Sequence, residues 1–231
     1  RDVYKRQAAH HLDRRAQAAW GCITTVPGAA AAWRKQALVE VGGFSARTCT
    51  EDMDLTLTLL ERDWAVVFEP RAVARSTAPS TPSALFRQRL RWHWGNLQCA
   101  ARHLSSLFRL RHAALGFLGL PNVWFNQLGV YLLLPAAIAA TVELAEHLGA
   151  WAVPLFVGLW LLDLLGCLLA FRLDRARPPA VLDLVSQRLL FPFFSWAVFL
   201  AAMTRRLRGK PVGWALRETR VRHPAVTPAR Q

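Results

Sequence analysis

An α/β segment followed by amphipathic interface helices and an α-helical transmembrane region is the fold class this sequence predicts, on three observations. Helix-forming and β-branched runs alternate through residues 8–83, as in helices layered on a sheet. Arginine and large apolar side chains are mixed through residues 84–112, the composition of helices lying in a membrane surface. Long apolar runs with few charges fill residues 113–204, and a basic tail, 205–231, follows. The first seven residues read as a non-native scar and are set aside, so the chain is expected to begin inside a longer protein.

Residues 8–19 favour a helix. The β-branched run Cys22 to Val26 is a short strand candidate, ended by Pro27-Gly28. Ala29 to Val41 reads as a second helix, with Gly42-Gly43 placed to cap its C-terminus. Thr48 followed by Glu51 fits a capping box opening a third helix through roughly Arg62. Ala65 to Phe68 is a buried strand candidate stopped by Pro70, and Ser76 to Ser83 is a proline- and serine-rich link. Phe86, Leu90, Trp92, Trp94, Leu97, Leu104, Leu107 and Phe108 then alternate with arginines along an amphipathic stretch.

Three apolar segments follow, near 117–142, 151–171 and 186–204. Pro121 and Pro135 interrupt the first, Asp163 sits near the middle of the second, and Pro192 falls in the short third. The first linker carries Glu143 and Glu146 without Lys or Arg and belongs outside. The linker Arg172 to Arg188 holds four arginines and belongs inside. The basic tail also belongs inside, whereas a third full span would carry it outside. A span is slightly favoured over a re-entrant or interfacial element, and the conflict stands. Asp163, a carboxylate at mid-bilayer depth, either lines a polar path or hydrogen-bonds a neighbouring helix.

The net charge of +14 comes almost entirely from arginine and suits an anionic membrane surface, a phosphorylated substrate or nucleic acid. Ten tryptophans favour the membrane interface. The arginines flank apolar segments rather than forming one soluble basic face, so nucleic acid is not an expected partner. Cys22, Cys49, Cys99 and Cys167 show no C-x-x-C spacing; reduced structural thiols, not zinc ligands, are expected.

Two short motifs carry chemistry. Thr50-Glu51-Asp52 opens a helix, where acids complement the helix dipole without further role; Asp52-Met53-Asp54 alone is a weak metal-binding pattern. If Gln88 to Trp92 is helical, Gln88, Arg91 and Trp92 share a face offering an amide, a guanidinium fork for phosphate oxygens and a flat ring for stacking on a sugar. The plain alternative is a helix whose Arg and Trp only anchor to lipid.

The fixed order of Val26 to Phe44, Thr50-Glu51-Asp52, Phe68 to Val73, Gln88-Arg89-Leu90-Arg91-Trp92, then Gly95 and Gln98, resembles the membrane-embedded family 2 glycosyltransferases. That group includes cellulose, hyaluronan, chitin and poly-N-acetylglucosamine synthases. The resemblance runs from about Ala8 to Gln98, continues more loosely through the apolar half, and includes a short basic tail at Gly209 to Trp214. It implies that residues 8–83 are the C-terminal part of a GT-A-type glycosyltransferase domain. Asp52 would be the general base for the acceptor hydroxyl, with Glu51 and Thr50 shaping the acceptor end. Gln88 and Arg91 would hold the donor diphosphate, and Trp92 would lie beneath the acceptor sugar at the mouth of a membrane passage.

Ser76-Thr77-Ala78-Pro79-Ser80 stands where family members often carry an acidic residue. The family's nucleotide-binding strand and metal-binding D-x-D lie upstream of the acceptor region. The resemblance therefore implies a divalent metal (Mg or Mn) in the full-length protein with ligands upstream, none in this fragment, and a fragment inactive by itself. The implied activity is inverting transfer from a nucleotide-diphosphate sugar to a growing polysaccharide, with export. The implied setting is an integral membrane protein of the bacterial inner membrane, in contact with its lipids, with the catalytic part cytoplasmic. A non-processive transferase acting on a lipid acceptor and a non-catalytic membrane scaffold or channel component are the alternatives.

Overall fold

A computed structural model of the chain describes residues 13–28, 31–69, 71–72, 79–173 and 181–209. Residues 1–12, the start of the second expected helix at 29–30, Pro70, residues 73–78 with the first part of the Pro/Ser-rich link, residues 174–180 of the arginine-bearing linker and the tail beyond Gly209 lie outside the described residues. The elements are α1 (Arg14–Ala19), α2 (Lys35–Val41), α3 (Glu51–Glu61), α4 (Pro82–Arg102), α5 (Leu120–Trp124), α6 (Val130–Leu148), α7 (Ala152–Leu173) and α8 (Val181–Leu207).

Among the described residues there is no strand. The two candidates, 22–26 and 65–68, run without regular structure. A strand exists through its ladder partner, and neither run has one among these residues. Cys22 and Ile23 are nonetheless buried. They pass close to a π-turn, Leu115–Gly119, where a Cβ on Gly119 would come within 3.0 Å of Thr24 Cγ2. Val67, expected inside, is 81% exposed.

The helical expectations fare better, with shifted ends. The first helix begins at Arg14 within the described residues, and the second only at Lys35. Alanine propensity at 31–32 is overridden because Trp33 packs on the cluster of Ala37, Leu55 and Leu59. Gly42 closes α2 in the left-handed region (φ 79°), as its placement requires. The capping box does not form: Thr50, not Thr48, is the N-cap of α3, and its side chain makes no capping bond. Its hydroxyl instead meets Cys99 Sγ at 3.3 Å. Glu51, Asp52 and Asp54 occupy the first turn of α3, where they complement the dipole.

The main core lies between α3, α4 and α5. Met53, Leu57 and Leu60, at i, i+4 and i+7, pack on Cys99, Ala100, Leu115, Leu120 and Val123. Thr81 N-caps α4 by accepting from the Ala84 amide at 3.2 Å, with Pro82 in the first turn. Beyond α4, short 3₁₀ turns lead into a helical run in which Pro121 starts α5 between two π-turns, Leu115–Gly119 and Phe125–Gly129. Pro135 is accommodated inside α6.

The run from Leu115 to Gly166 is long and apolar enough to cross a membrane, by length and composition. Gly149 (φ 53°) marks the break between α6 and α7. Leu132, Leu133, Ile138, Val142, Val153, Leu162 and Leu165 are exposed along it. The third apolar segment behaves differently. Leu90 packs with Val198 and Ala202, Phe86 meets Phe194 edge-on at 6.1 Å, and Arg206 lies 5.8 Å over Trp94. Contacts at 86, 90 and 94 thus rise together with 194, 198 and 206, so the second half of α8 runs beside α4 in the same direction.

Candidate active site

The two motifs are 38 positions apart in sequence, by their first residues Thr50 and Gln88, and adjacent in space. One face of α4, at positions 91, 95, 98, 99 and 102, follows the i, i+4, i+7, i+8, i+11 rhythm of a helix stripe. That stripe holds the segment entering α3. Arg91 Nη1 donates to the Cys49 carbonyl at 3.1 Å, and the Cys49 amide donates to Gln98 Oε1 at 3.1 Å. Cys99 Sγ lies 3.4 Å from the Thr50 carbonyl. Burial pushes the Cys99 thiol up to about 11, beyond what its contacts with Thr50 restore, so it packs rather than reacts.

Asp52 is half-buried at the start of α3. Its Oδ2 accepts from the Gly28 amide at 2.9 Å and its Oδ1 from the Met53 amide at 2.9 Å. Thr56 donates to the Asp52 carbonyl at 2.6 Å and accepts from the Val26 amide at 3.1 Å, tying the Pro27-Gly28 turn to the same helix. The carboxylate is therefore held by two backbone amides that do not depend on side-chain rotamers.

Asp54 faces away from this arrangement. It is 2% exposed, with Oδ1 at 3.0 Å from His103 Nε2 and 3.2 Å from Arg102 Nε. His103 Nδ1 lies 2.9 Å from Glu61 Oε1, which also accepts from Ser106 Oγ. Asp52-x-Asp54 does not fit a divalent cation: one carboxylate is bound by amides and the other by cationic side chains. Among the described residues no three His, Cys, Asp or Glu gather at ligating separation.

Burial opposes charge on Asp54, His103 and the half-buried Glu61, but their mutual contacts outweigh it. His103 is raised to about 9 by hydrogen bonds and charge from Asp54 and Glu61. Asp54 and Glu61 are held below the usual carboxylate range, chiefly by their bonds to His103. The raised histidine stabilises the fold fully below its ordinary 6.5, and that contribution is lost as pH rises through about 9. The depressed carboxylates contribute above their ordinary 3.8 and 4.5, and lose it as pH falls through their lower folded values. A thermal-unfolding series is expected to show a stability plateau from about pH 5 to 6.5 and a decline toward pH 9 that His103→Gln removes.

Gln88, Arg91 and Trp92 do not converge on one point. Gln88 is half-buried. Arg91 serves the Cys49 backbone, while Trp92, about 100° further round the helix, lines a cavity of about 460 Å³ between α4, the segment 126–134 and α8. Arg89 lies 4.7 Å over the Trp92 ring and 5.8 Å from Phe191; burial lowers its guanidinium to about 10. His93 packs edge-on to Tyr131 at 5.3 Å and to Phe199 at 5.6 Å, and burial lowers it to about 4, so it is neutral. Asn96, Asn126, Gln127 and Ser195 add polar groups to this aromatic wall.

Sequence reasoning missed Gly28, Cys99 and His103. The spacing of Asp54 and Glu61, two turns apart on one face of a leucine-rich helix, signals a cationic partner; nothing local points to residue 103.

The family model for glycosyl transferase family group 2 matches residues 2–208. The chain belongs to this family. Membership implies the GT-A fold. Relatives of this glycosyltransferase include the probable glycosyltransferase YdaM of Bacillus subtilis (strain 168), 30% identical over 98 residues, 42% of this chain and 23% of that protein. The poly-beta-1,6-N-acetyl-D-glucosamine synthase of Staphylococcus epidermidis is 30% identical over 102 residues, 44% and 25% of the two chains. The enzyme of the same name from Staphylococcus aureus (strain COL) is 28% identical over 121 residues, 52% and 29%. The matched part of the chain spans about a quarter of the length of these relatives. No solved structure matches.

Proposed function

We propose that this segment forms the acceptor side of a membrane glycosyltransferase that lengthens a polysaccharide from a nucleotide-diphosphate sugar and passes the product into the bilayer. The observation that carries this reading is the backbone-level clamp joining Asp52's helix to the α4 face of Arg91, with Trp92 one residue on, in a cavity beside the apolar helices.

Asp52 takes the proton of the acceptor hydroxyl as its oxygen attacks the anomeric carbon, and the bond to the diphosphate breaks on the opposite face with inversion. The two amides on Asp52 fix the carboxylate, and Thr50 and Glu51 shape the space beside it. Arg91 and Gln88 sit on the side where charge develops on the leaving diphosphate. Trp92, its ring oriented by Arg89, offers a stacking platform for the acceptor sugar. In the whole enzyme a Mg or Mn ion would offset charge on the diphosphate, with ligands expected upstream of this segment. The exposed apolar run through α6 and α7 spans the inner membrane of a bacterium. The second half of α8, alongside α4, lies at the cytoplasmic surface, which removes the conflict between the basic tail and a third span.

Two relatives are named as N-acetylglucosamine polymer synthases, so nucleotide-activated N-acetylglucosamine is the first donor to test. The full-length enzyme in membrane vesicles is expected to build a polymer from it, and Trp92→Ala to shorten the product and slow incorporation about tenfold through loss of the stacking platform. A single sugar on a lipid would replace this reading with the non-processive one. Wild-type product length and rate in Trp92→Ala would remove Trp92 from the acceptor path.

A further inference from the structure

We propose that His103 is a positioning residue for Asp52: by bridging Asp54 and Glu61 it fixes the angle at which α3 presents its N-terminal carboxylate to α4. The proposal rests on the reading of Asp52 as the base.

One attachment point leaves a helix free to pivot. The N-terminal end of α3 is tied through Cys49 and Thr50 to Arg91, Gln98 and Cys99. The apolar stripe of Met53, Leu57 and Leu60 resists separation but not a small rocking, because dispersion contacts have no preferred direction. His103 supplies the second fixed point. It is the C-cap of α4, and its own amide donates to the Cys99 carbonyl at 3.0 Å. Its two ring nitrogens reach carboxylates seven residues apart on α3, at 3.0 and 2.9 Å. Directional bonds at both ends set the tilt and roll of α3, and with them the direction in which Asp52, at the tied end, presents its carboxylate.

The charged surroundings explain why histidine serves. Asp54 and Glu61 face it from α3, Arg102 from its own helix reaches Asp54, and Ser106 from the following turn donates to Glu61. His112 Nδ1 lies 3.3 Å from Asp63 Oδ1, and Arg111 also holds Asp63. An imidazolium has two opposed N–H donors in one rigid plane, which fits a bridge between two carboxylates better than the single ammonium head of lysine. Simple glue would alter how much enzyme folds; a positioning residue alters the rate of each folded molecule and ties that rate to its own protonation.

The test uses the full-length enzyme in membrane vesicles, with initial rates per folded molecule between pH 6 and 10. His103→Gln is expected to lower kcat about tenfold with the donor KM unchanged, since a misplaced base slows chemistry without weakening donor binding. The wild-type rate is expected to fall on the alkaline side near pH 9, where His103 loses its proton. Glu61→Gln, which removes one of the two carboxylates, is expected to move that fall about one unit lower. An alkaline limb that stays in place in Glu61→Gln overturns the proposal even if His103→Gln fails to fold. So does a His103→Gln enzyme with wild-type kcat. An Asp52→Asn enzyme of full activity would instead overturn the base assignment beneath it, whereas an inactive Asp52→Asn with an unmoved limb in Glu61→Gln would leave the base standing and remove the clamp.

Discussion

Asp52→Asn in the full-length enzyme is expected to cut sugar transfer by about 10²–10⁴-fold, the usual contribution of a positioned general base, while the donor KM and the amount of folded enzyme hold. Asparagine preserves the shape of the side chain. One acceptor oxygen survives for one of the two amides now on the carboxylate, Gly28 or Met53, and the lost bond costs about 1 kcal/mol. Removing one acid from the first turn of α3 costs about 0.3–1 kcal/mol more. Neither change loosens Arg91, Gln98 or Cys99 from residues 49 and 50. Loss of rate without loss of protein therefore isolates the proton-accepting oxygen. Asp52→Glu is the companion: charge is kept, but the extra methylene pushes the carboxylate past the Gly28 amide. A displacement of about 1 Å is enough to cost about 10²-fold. Initial incorporation rates per folded enzyme decide both, and a fully active Asp52→Asn would leave only a non-catalytic role for the motif.

What the sequence made legible was what is local. Thr50 to Asp52 and Gln88 to Trp92 are contiguous, their helices announce themselves through apolar spacing, and Gly42 marks the end of α2. The strand candidates at 22–26 and 65–68 have no ladder among the described residues, because β-branched residues report suitability for a sheet, while the sheet itself depends on a partner elsewhere. Thr48 misled as a cap because the competing bond, Thr50 to Cys99, joins residues 49 apart. The bridge from Asp54 to His103 spans the same separation. Arg91 and Trp92 were assigned one face by counting from Gln88, yet adjacent residues on a helix diverge by about 100°, and here each serves a different neighbour. Gly95 and Gln98 stood in the motif order without any physical role; packing against residues 49 and 50 supplies it.

Gly95 carries the sharpest packing consequence. A Cβ there would lie 2.7 Å from both Cγ2 and Oγ1 of Thr50 and 2.9 Å from the Thr50 backbone nitrogen. Thr50 can turn its side chain, but its amide cannot retreat without pulling residues 49 and 50 off Arg91 and Gln98. Helix propensity argues the other way, since alanine in a helix interior is favoured over glycine by about 1 kcal/mol. Overpacking against backbone costs about 1–3 kcal/mol, so the clash wins. Gly95→Ala is expected to lower the thermal midpoint by several degrees, at about 2–4 °C per kcal/mol for a chain of this size. Because the strain falls on the joint between the motifs, transfer per folded molecule should drop about 10- to 100-fold as well. Gly158→Ala is the matched control: it lies inside α7 with nothing within 4 Å of the added methyl, so propensity acts alone and the midpoint should hold or rise. Pairing Gly95→Ala with Thr50→Ser removes the Cγ2 contact and leaves the amide contact, so recovery should be partial. A Gly95→Ala enzyme as stable and as fast as wild type would mean that α4 and the entry to α3 are not in backbone contact, and with that the clamp beneath Asp52 would go.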